Sequence, residues 1–293
     1  MKWVITDSGL GGLSVCAGIE QVLTKNNSGA GIDLLYINAT PEDRSGYNAL
    51  PNQNERVLLF DRFLKAIHSR YQPDEIAIAC NTLSVIYDDT DFAHQNLLEV
   101  RGIVDAGVEL CNQHIRNNPE HGLIIFATET TTEAGTYPRL IDIDSSKLSA
   151  QECPELAHAI SNDASGATCR DLLKDYILDS LQRFEVKPHR VYAFLGCTHY
   201  GYQARIFTEL IKQQGVAPQI LNPNDLLVEQ LTSGLQAQAS DNKEPLSIKF
   251  ISRYEIPQVE IQSMERYLKD AAPMTMRALH NQLVVPDLFQ SPS

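Results

Sequence analysis

"WVITDSGLGGLSVCAGIEQVLT" (residues 3–24) opens with an apolar run, passes through a glycine-rich turn and continues with apolar residues at helical spacing. "WVIT" (3–6) reads as a buried strand and 12–24 as an amphipathic helix, so the stretch is a strand feeding a helix. The same alternation runs through the chain. "IDLLYI" (32–37), "EIAIA" (75–79), "LIIFAT" (123–128), "RVYAFL" (190–195) and "SIKFIS" (247–252) read as further buried strands. Helical patterns lie between them at 52–70, 106–117, 168–184, 200–214 and 223–237. Strand and helix taking turns is the pattern of a parallel α/β protein. The tail "VVPDLFQSPS" (284–293) reads as loose or edge-docked.

Ligands of open parallel sheets bind where the carboxyl ends of strands meet the following helices. The unusual residues of this chain gather at four such places. They are "TDSGLGG" after the first strand, "CNT" after the third, "TETTTEAGTY" after the fourth and "GCTHY" after the fifth.

Composition narrows the partners. The 293 residues are 43% hydrophobic and 21% charged, as in globular proteins, with a formal charge of −13. That charge opposes a nucleic-acid partner, which needs a basic face. No apolar stretch is long enough for a membrane span, and residues 1–7 do not read as a signal peptide. The six cysteines (16, 80, 111, 153, 169, 197) lie far apart, with no Cys-x-x-Cys, so reduced thiols in the cytoplasm are the expectation.

The glycine turn is not a dinucleotide fingerprint, because Gly9-Leu10-Gly11-Gly12-Leu13 ends in Ser14, and no Gly-Lys-Ser/Thr makes it a P-loop. What remains is a helix entrance whose free N–H groups suit a carboxylate or phosphate, with Asp7 as cap and Ser8 as donor. Cys80 and Cys197 each stand at a strand-to-helix junction, which favours a thiolate. Taken singly, each is also consistent with a small core hydrophobe. Cys80, Cys197 and His199 would be the available zinc set, without paired spacing. A Cys–His hydrolase is a further reading. Two cysteines in matching contexts favour two thiols flanking one carbon.

"DSGLGGLSV", "ACNT" and "GCTHY", in this order, resemble the glutamate racemase family within the cofactor-independent aspartate/glutamate racemases. The likeness extends from residue 3 to about 230. "ATETTTEAGTY" (127–137) is similar to the family's central segment at Thr128, Thr131, Gly135 and Tyr137, and "ECPELAHAIS" (152–161) to its Cys-Pro segment. The resemblance implies two similar three-layer α/β lobes with mainly parallel sheets and the active site in the cleft between them. Residues 1–99 and 208–293 would form one lobe, and 100–207 the other. It implies interconversion of L- and D-glutamate at Cα by Cys80 and Cys197, with D-glutamate going to peptidoglycan. Removing an α-hydrogen from one face and reprotonating the other suits a thiolate and a thiol. Asp7 and His199 would assist them. Ser8, Asn81, Thr82, Thr131, Thr198 and Tyr47 would hold the substrate, with no pyridoxal phosphate, nucleotide or metal. The implied partner is a small acidic amino acid, with room for a homodimer. Cys153 and Cys16 would be structural.

The pattern departs from the family at three places. "RSGYN" (44–48) keeps Arg44 and Tyr47 but has Gly46 and Asn48 where the family has Pro and Gly around the tyrosine. Ser161 stands where a glutamate is common, and Gly201 where a proline follows Cys-Thr-His-Tyr. The chain also carries extra residues near 235–293. Racemisation of aspartate or another acidic amino acid is the neighbouring reading, and a non-catalytic ligand-binding protein of the same fold is the reading from another class.

Overall fold

The computed structural model describes residues 1–42, 46–163, 166–233, 235 and 245–290. Its strands are β1 (Lys2–Asp7), β2 (Asp33–Asn38), β3 (Glu75–Ile78), β4 (Glu99–Gly102) and β5 (Gly122–Ala127). They continue with β6 (Leu148–Glu152), β7 (Arg190–Gly196), β8 (Ala217–Leu221), β9 (Ser247–Ser252) and β10 (Leu283–Val284). These form two sheets, ordered β10-β9-β2-β1-β3-β4 and β6-β5-β7-β8, and every described pairing is parallel.

Successive side chains of a strand point to opposite faces, so an all-apolar strand needs cover on both. β1 shows the consequence: Trp3 and Ile5 enter one core cluster, while Val4 enters another across the sheet. In β5, Ile124 and Phe126 pack on one side and Leu123 and Ile125 on the other. Each sheet is therefore the middle of three layers, the expected α/β class.

The edges of the two sheets carry them past the boundaries expected at 99 and 207. β4 extends the first sheet to Gly102, and β8 extends the second to Leu221. Helix Pro223–Thr232 then returns to the first sheet's layer, with Leu227 and Val228 in the same core as Ile19 and Leu23. The expected helix over 223–237 thus ends at Thr232, and residues 236–237 lie outside the described residues. The expected helix from residue 200 begins as a 3-10 turn, Thr198–Gln203, and becomes α-helical at Ala204.

The tail docks at an edge. β10 pairs with β9, Leu288 and Phe289 are buried beside helix Gln53–Tyr71, and Arg70 bonds Asp287 at 2.8 Å. Residues 291–293 lie outside the described residues.

A buried carboxylate fastens the helix Pro273–His280 to the first helix, Leu13–Lys25. Glu20 accepts the N–H groups of Met274 (2.9 Å) and Thr275 (2.8 Å) and the Thr275 hydroxyl (2.7 Å). Helix-entrance N–H groups have no partner within their own helix, and orphaning them under buried conditions is costly. Glu20→Ala is expected to lower stability by about 2–4 kcal/mol, read as a fall in the denaturation midpoint.

Candidate active site

Strand register brings the chemistry together. Thr6 pairs with Ile78 across β1 and β3, so Asp7 and Cys80 leave the first sheet at the same edge. In the second sheet Ala127 pairs with Gly196, which sets Thr128 beside Cys197. Asp7, Ser8, Cys80, Asn81, Thr82, Cys197, Thr198, His199 and Tyr47 all line one cleft of about 510 Å³ between the two sheets. Thr131 does not: it is buried behind the wall and accepts the Thr128 hydroxyl at 3.1 Å. Arg44 lies outside the described residues; Gly46, Asn48 and Ser161 are on the wall.

The glycines of the first turn exist for close approach. A Cβ on Gly11 would fall 2.3 Å from Thr198 Oγ1 and 2.7 Å from the His199 backbone nitrogen. One on Gly12 would fall 2.7 Å from Asp7 Cβ. Gly11 therefore lets the first lobe's turn touch the second lobe's Cys-Thr-His segment. The Tyr36 hydroxyl pins the turn by donating to the Gly9 carbonyl at 2.6 Å. Gly11→Ala must push the two segments apart. It is expected to cost about 1–3 kcal/mol, seen as a lowered melting midpoint, together with loss of activity.

At the join, the Thr198 hydroxyl donates to Asp7 Oδ2 at 2.8 Å. Burial raises the Asp7 carboxyl from 3.8 to about 7, against the lowering effect of Thr198 and the Gly12 N–H. Ser8 Oγ lies 3.1 Å from Cys80 Sγ. Burial, then the Asp7 charge, pushes the Cys80 thiol up to about 12. Burial also drives Cys197 well above its ordinary value. The His199 ring nitrogen Nδ1 sits 3.8 Å from Cys197 Sγ, and desolvation lowers its pKa to about 4. At neutral pH the cleft therefore holds two protonated thiols, a neutral imidazole and a carboxyl near its midpoint.

The neighbours are fixed across the cleft. Asn81 Oδ1 accepts from the Tyr137 hydroxyl, while Asn81 Nδ2 is buried without a partner among the described residues. Thr82 and Thr128 share a bond of 2.9 Å. Cys80, Cys197 and His199 form no metal-ligating group among the described residues.

Tyr254 and Glu260 line the cleft without any sequence signal, while Glu129, Glu155 and His158 come from the two similar segments, 127–137 and 152–161, where they are not among the expected site residues. Asn224, at the start of helix Pro223–Thr232, donates to the Thr198 carbonyl at 3.1 Å and to Ser14 Oγ at 2.7 Å. Cys153, expected to be structural, also touches the cleft: it follows β6, whose last residue Glu152 pairs with Ala127, the residue before Thr128. Cys16, in the core, receives the Thr275 hydroxyl.

Fold and cleft together describe a two-sheet parallel α/β protein with a buried thiol at a central strand end of each sheet. Its likeness is to the glutamate racemases. No family model matches the chain. It is 25% identical over 265 residues to the glutamate racemase of Sulfurovum sp., covering 88% of this chain and 91% of that one. A glutamate racemase isoform from Bacillus anthracis shares the fold with a TM-score of 0.69 at 20% identity, over 92% and 93% of the two chains. The Francisella tularensis glutamate racemase, solved in complex with D-glutamate, does so with a TM-score of 0.68 at 20% identity, over 97% of each.

Proposed function

We propose that the chain is a cofactor-independent racemase that interconverts L- and D-glutamate, with Cys80 and Cys197 as its two bases. The observation that carries the proposal is the pair of buried thiols, one from each sheet, lining a single cleft with no Lys or Arg among its described wall residues. Racemisation needs an acid and a base at one carbon, and two groups from opposing lobes supply them from two sides. Similarity to glutamate racemases over most of the chain supports glutamate as substrate.

The resting thiols are not bases. Ionising a thiol of pKa about 12 at pH 7 costs roughly 7 kcal/mol, so the substrate must lower it. An ammonium group arriving about 4 Å away contributes on the order of 4 kcal/mol at an effective dielectric near 20. Asp7, with its carboxyl near neutrality and its interaction with the Cys80 thiol, takes that thiol's proton. The Cys80 thiolate then removes the α-hydrogen, and the Cys197 thiol delivers a proton to the other face. In the reverse direction the two sulfurs exchange roles. His199, kept neutral, orients the Cys197 sulfur without a fixed charge. Ser8, Asn81, Thr82 and Thr198 supply neutral donors for the carboxylates, Asn81 Nδ2 being the one already desolvated and unpaired.

The test is optical. Purified protein without added cofactor is incubated with L-glutamate and, separately, L-aspartate, and circular dichroism is followed. The glutamate signal is expected to decay to zero, with aspartate at least about tenfold slower in kcat/KM. A protein that binds glutamate but exchanges no α-hydrogen would be a binding protein, and a faster reaction with aspartate would reassign the substrate.

A further inference from the structure

Arg56, on helix Gln53–Tyr71, is not on the cleft wall, yet its side chain is only 11% exposed and its guanidinium serves three acceptors. Nε donates to the Tyr47 carbonyl at 3.1 Å, and one terminal nitrogen donates to the Leu50 carbonyl at 3.2 Å. The other terminal nitrogen meets Glu133 Oε2 at 3.4 Å. Tyr47 and Leu50 bracket the 3-10 turn Tyr47–Ala49, whereas Glu133 belongs to helix Glu129–Ala134, which follows β5 of the other sheet. A second strut runs parallel: the Thr130 hydroxyl donates to Asn48 Oδ1 at 2.7 Å. Glycine, which the family pattern carries at Asn48, has no side chain to make that strut.

The turn matters for what it carries. Tyr47 is buried on the cleft wall near Cys80, and its hydroxyl has no partner among the described residues. A buried, unpaired hydroxyl facing a cleft is a donor waiting for a ligand. Among the described residues the turn's own backbone bonds are only two, from the Leu50 N–H to the Tyr47 carbonyl and from the Ala49 N–H to the Gly46 carbonyl. The planar fork of an arginine reaches two carbonyls and a carboxylate at once, which a lysine ammonium on a flexible stem cannot reproduce.

We infer that Arg56 is a positioning residue, which clamps the Tyr47–Ala49 turn against the cleft and ties it to the opposing lobe so that the Tyr47 hydroxyl meets the substrate. The inference rests on the racemase reading above. Its test is a double-variant cycle with Arg56→Lys and Tyr47→Phe, measured on glutamate in both directions. Arg56→Lys is expected to raise KM about tenfold while kcat changes less than about threefold, with the melting midpoint nearly unmoved. Tyr47→Phe is expected to raise KM by a similar factor. Because both remove the same contact, the double variant is expected to be no worse than the worse single one. Arg56→Gln gives a second route to the cycle should the lysine variant melt early. A wild-type KM in both Arg56 variants, or effects that multiply in the double variant, would overturn the inference. Wild-type protein inactive on glutamate would instead refute the racemase reading, and that shows in the first measurement.

Discussion

Cys80→Ser and Cys197→Ser, made separately, are each expected to lower L/D-glutamate interconversion by about 10³-fold or more. Serine keeps the shape of the side chain but not its acidity, so neither lobe can replace its lost sulfur. Folding is expected to survive both changes, because serine can keep the polar contacts of each sulfur, to Ser8 and Asp7 for Cys80 and to His199 for Cys197. The two variants should also differ from one another. A protein with one working thiol can still remove and return a proton on one face. In deuterated water each variant is therefore expected to exchange the α-hydrogen of one enantiomer with retention, and the two variants are expected to select opposite enantiomers. Proton NMR of L- and D-glutamate reads this directly. Full interconversion in either variant would remove that cysteine from the reaction.

Asp7→Asn is expected to make the protein more stable and less active. The folded Asp7 holds its proton to about pH 7, whereas the unfolded carboxyl loses it near 3.8. Between these values folding takes up a proton, so stability falls as pH rises through the window. Above pH 7 the whole cost, roughly 4 kcal/mol, is in place. Below about pH 4 both states are protonated and nothing is lost. Asparagine carries no charge, so the variant is expected to melt several degrees higher at pH 8 and to show no advantage at pH 4. Racemisation is expected to drop by about 10²-fold or more, because Cys80 loses the group that takes its proton. Such a trade of stability for activity is common where a charge is kept buried for function. Equal melting points at pH 8 would show that Asp7 is not the strained carboxylate of this cleft.

The parts of this architecture that show in the sequence are those buried on both sides. The six apolar runs correspond to the central strands β1, β2, β3, β5, β7 and β9. The four strands without a sequence signal, β4, β6, β8 and β10, are the four sheet edges. Edge strands are half-solvated and tolerate polar residues and proline, as "EVRG", "LSAQE" and "APQIL" show. At the cleft, "DSG", "CNT" and "CTH" stand out because strand ends concentrate chemistry in three consecutive residues each. Tyr254 and Glu260 do not, since only long-range packing brings them to the wall. Arg56 reads as one more charged residue on an amphipathic helix. Thr131 sits in a motif, and its buried hydroxyl accepts from Thr128, which is on the wall.

The central claim is that two thiols, one from each lobe, handle opposite faces of one carbon. D-glutamate racemised by the wild-type protein in deuterated water, sampled before the reverse reaction matters, tests it most directly. The L-glutamate formed is expected to carry deuterium at Cα while the remaining D-glutamate carries almost none. The abstracted hydrogen stays on the first sulfur, and the second sulfur delivers its exchanged deuteron. Deuterium entering the remaining D-glutamate as fast as it enters L-glutamate would mean a single base serving both faces, and would contradict the account.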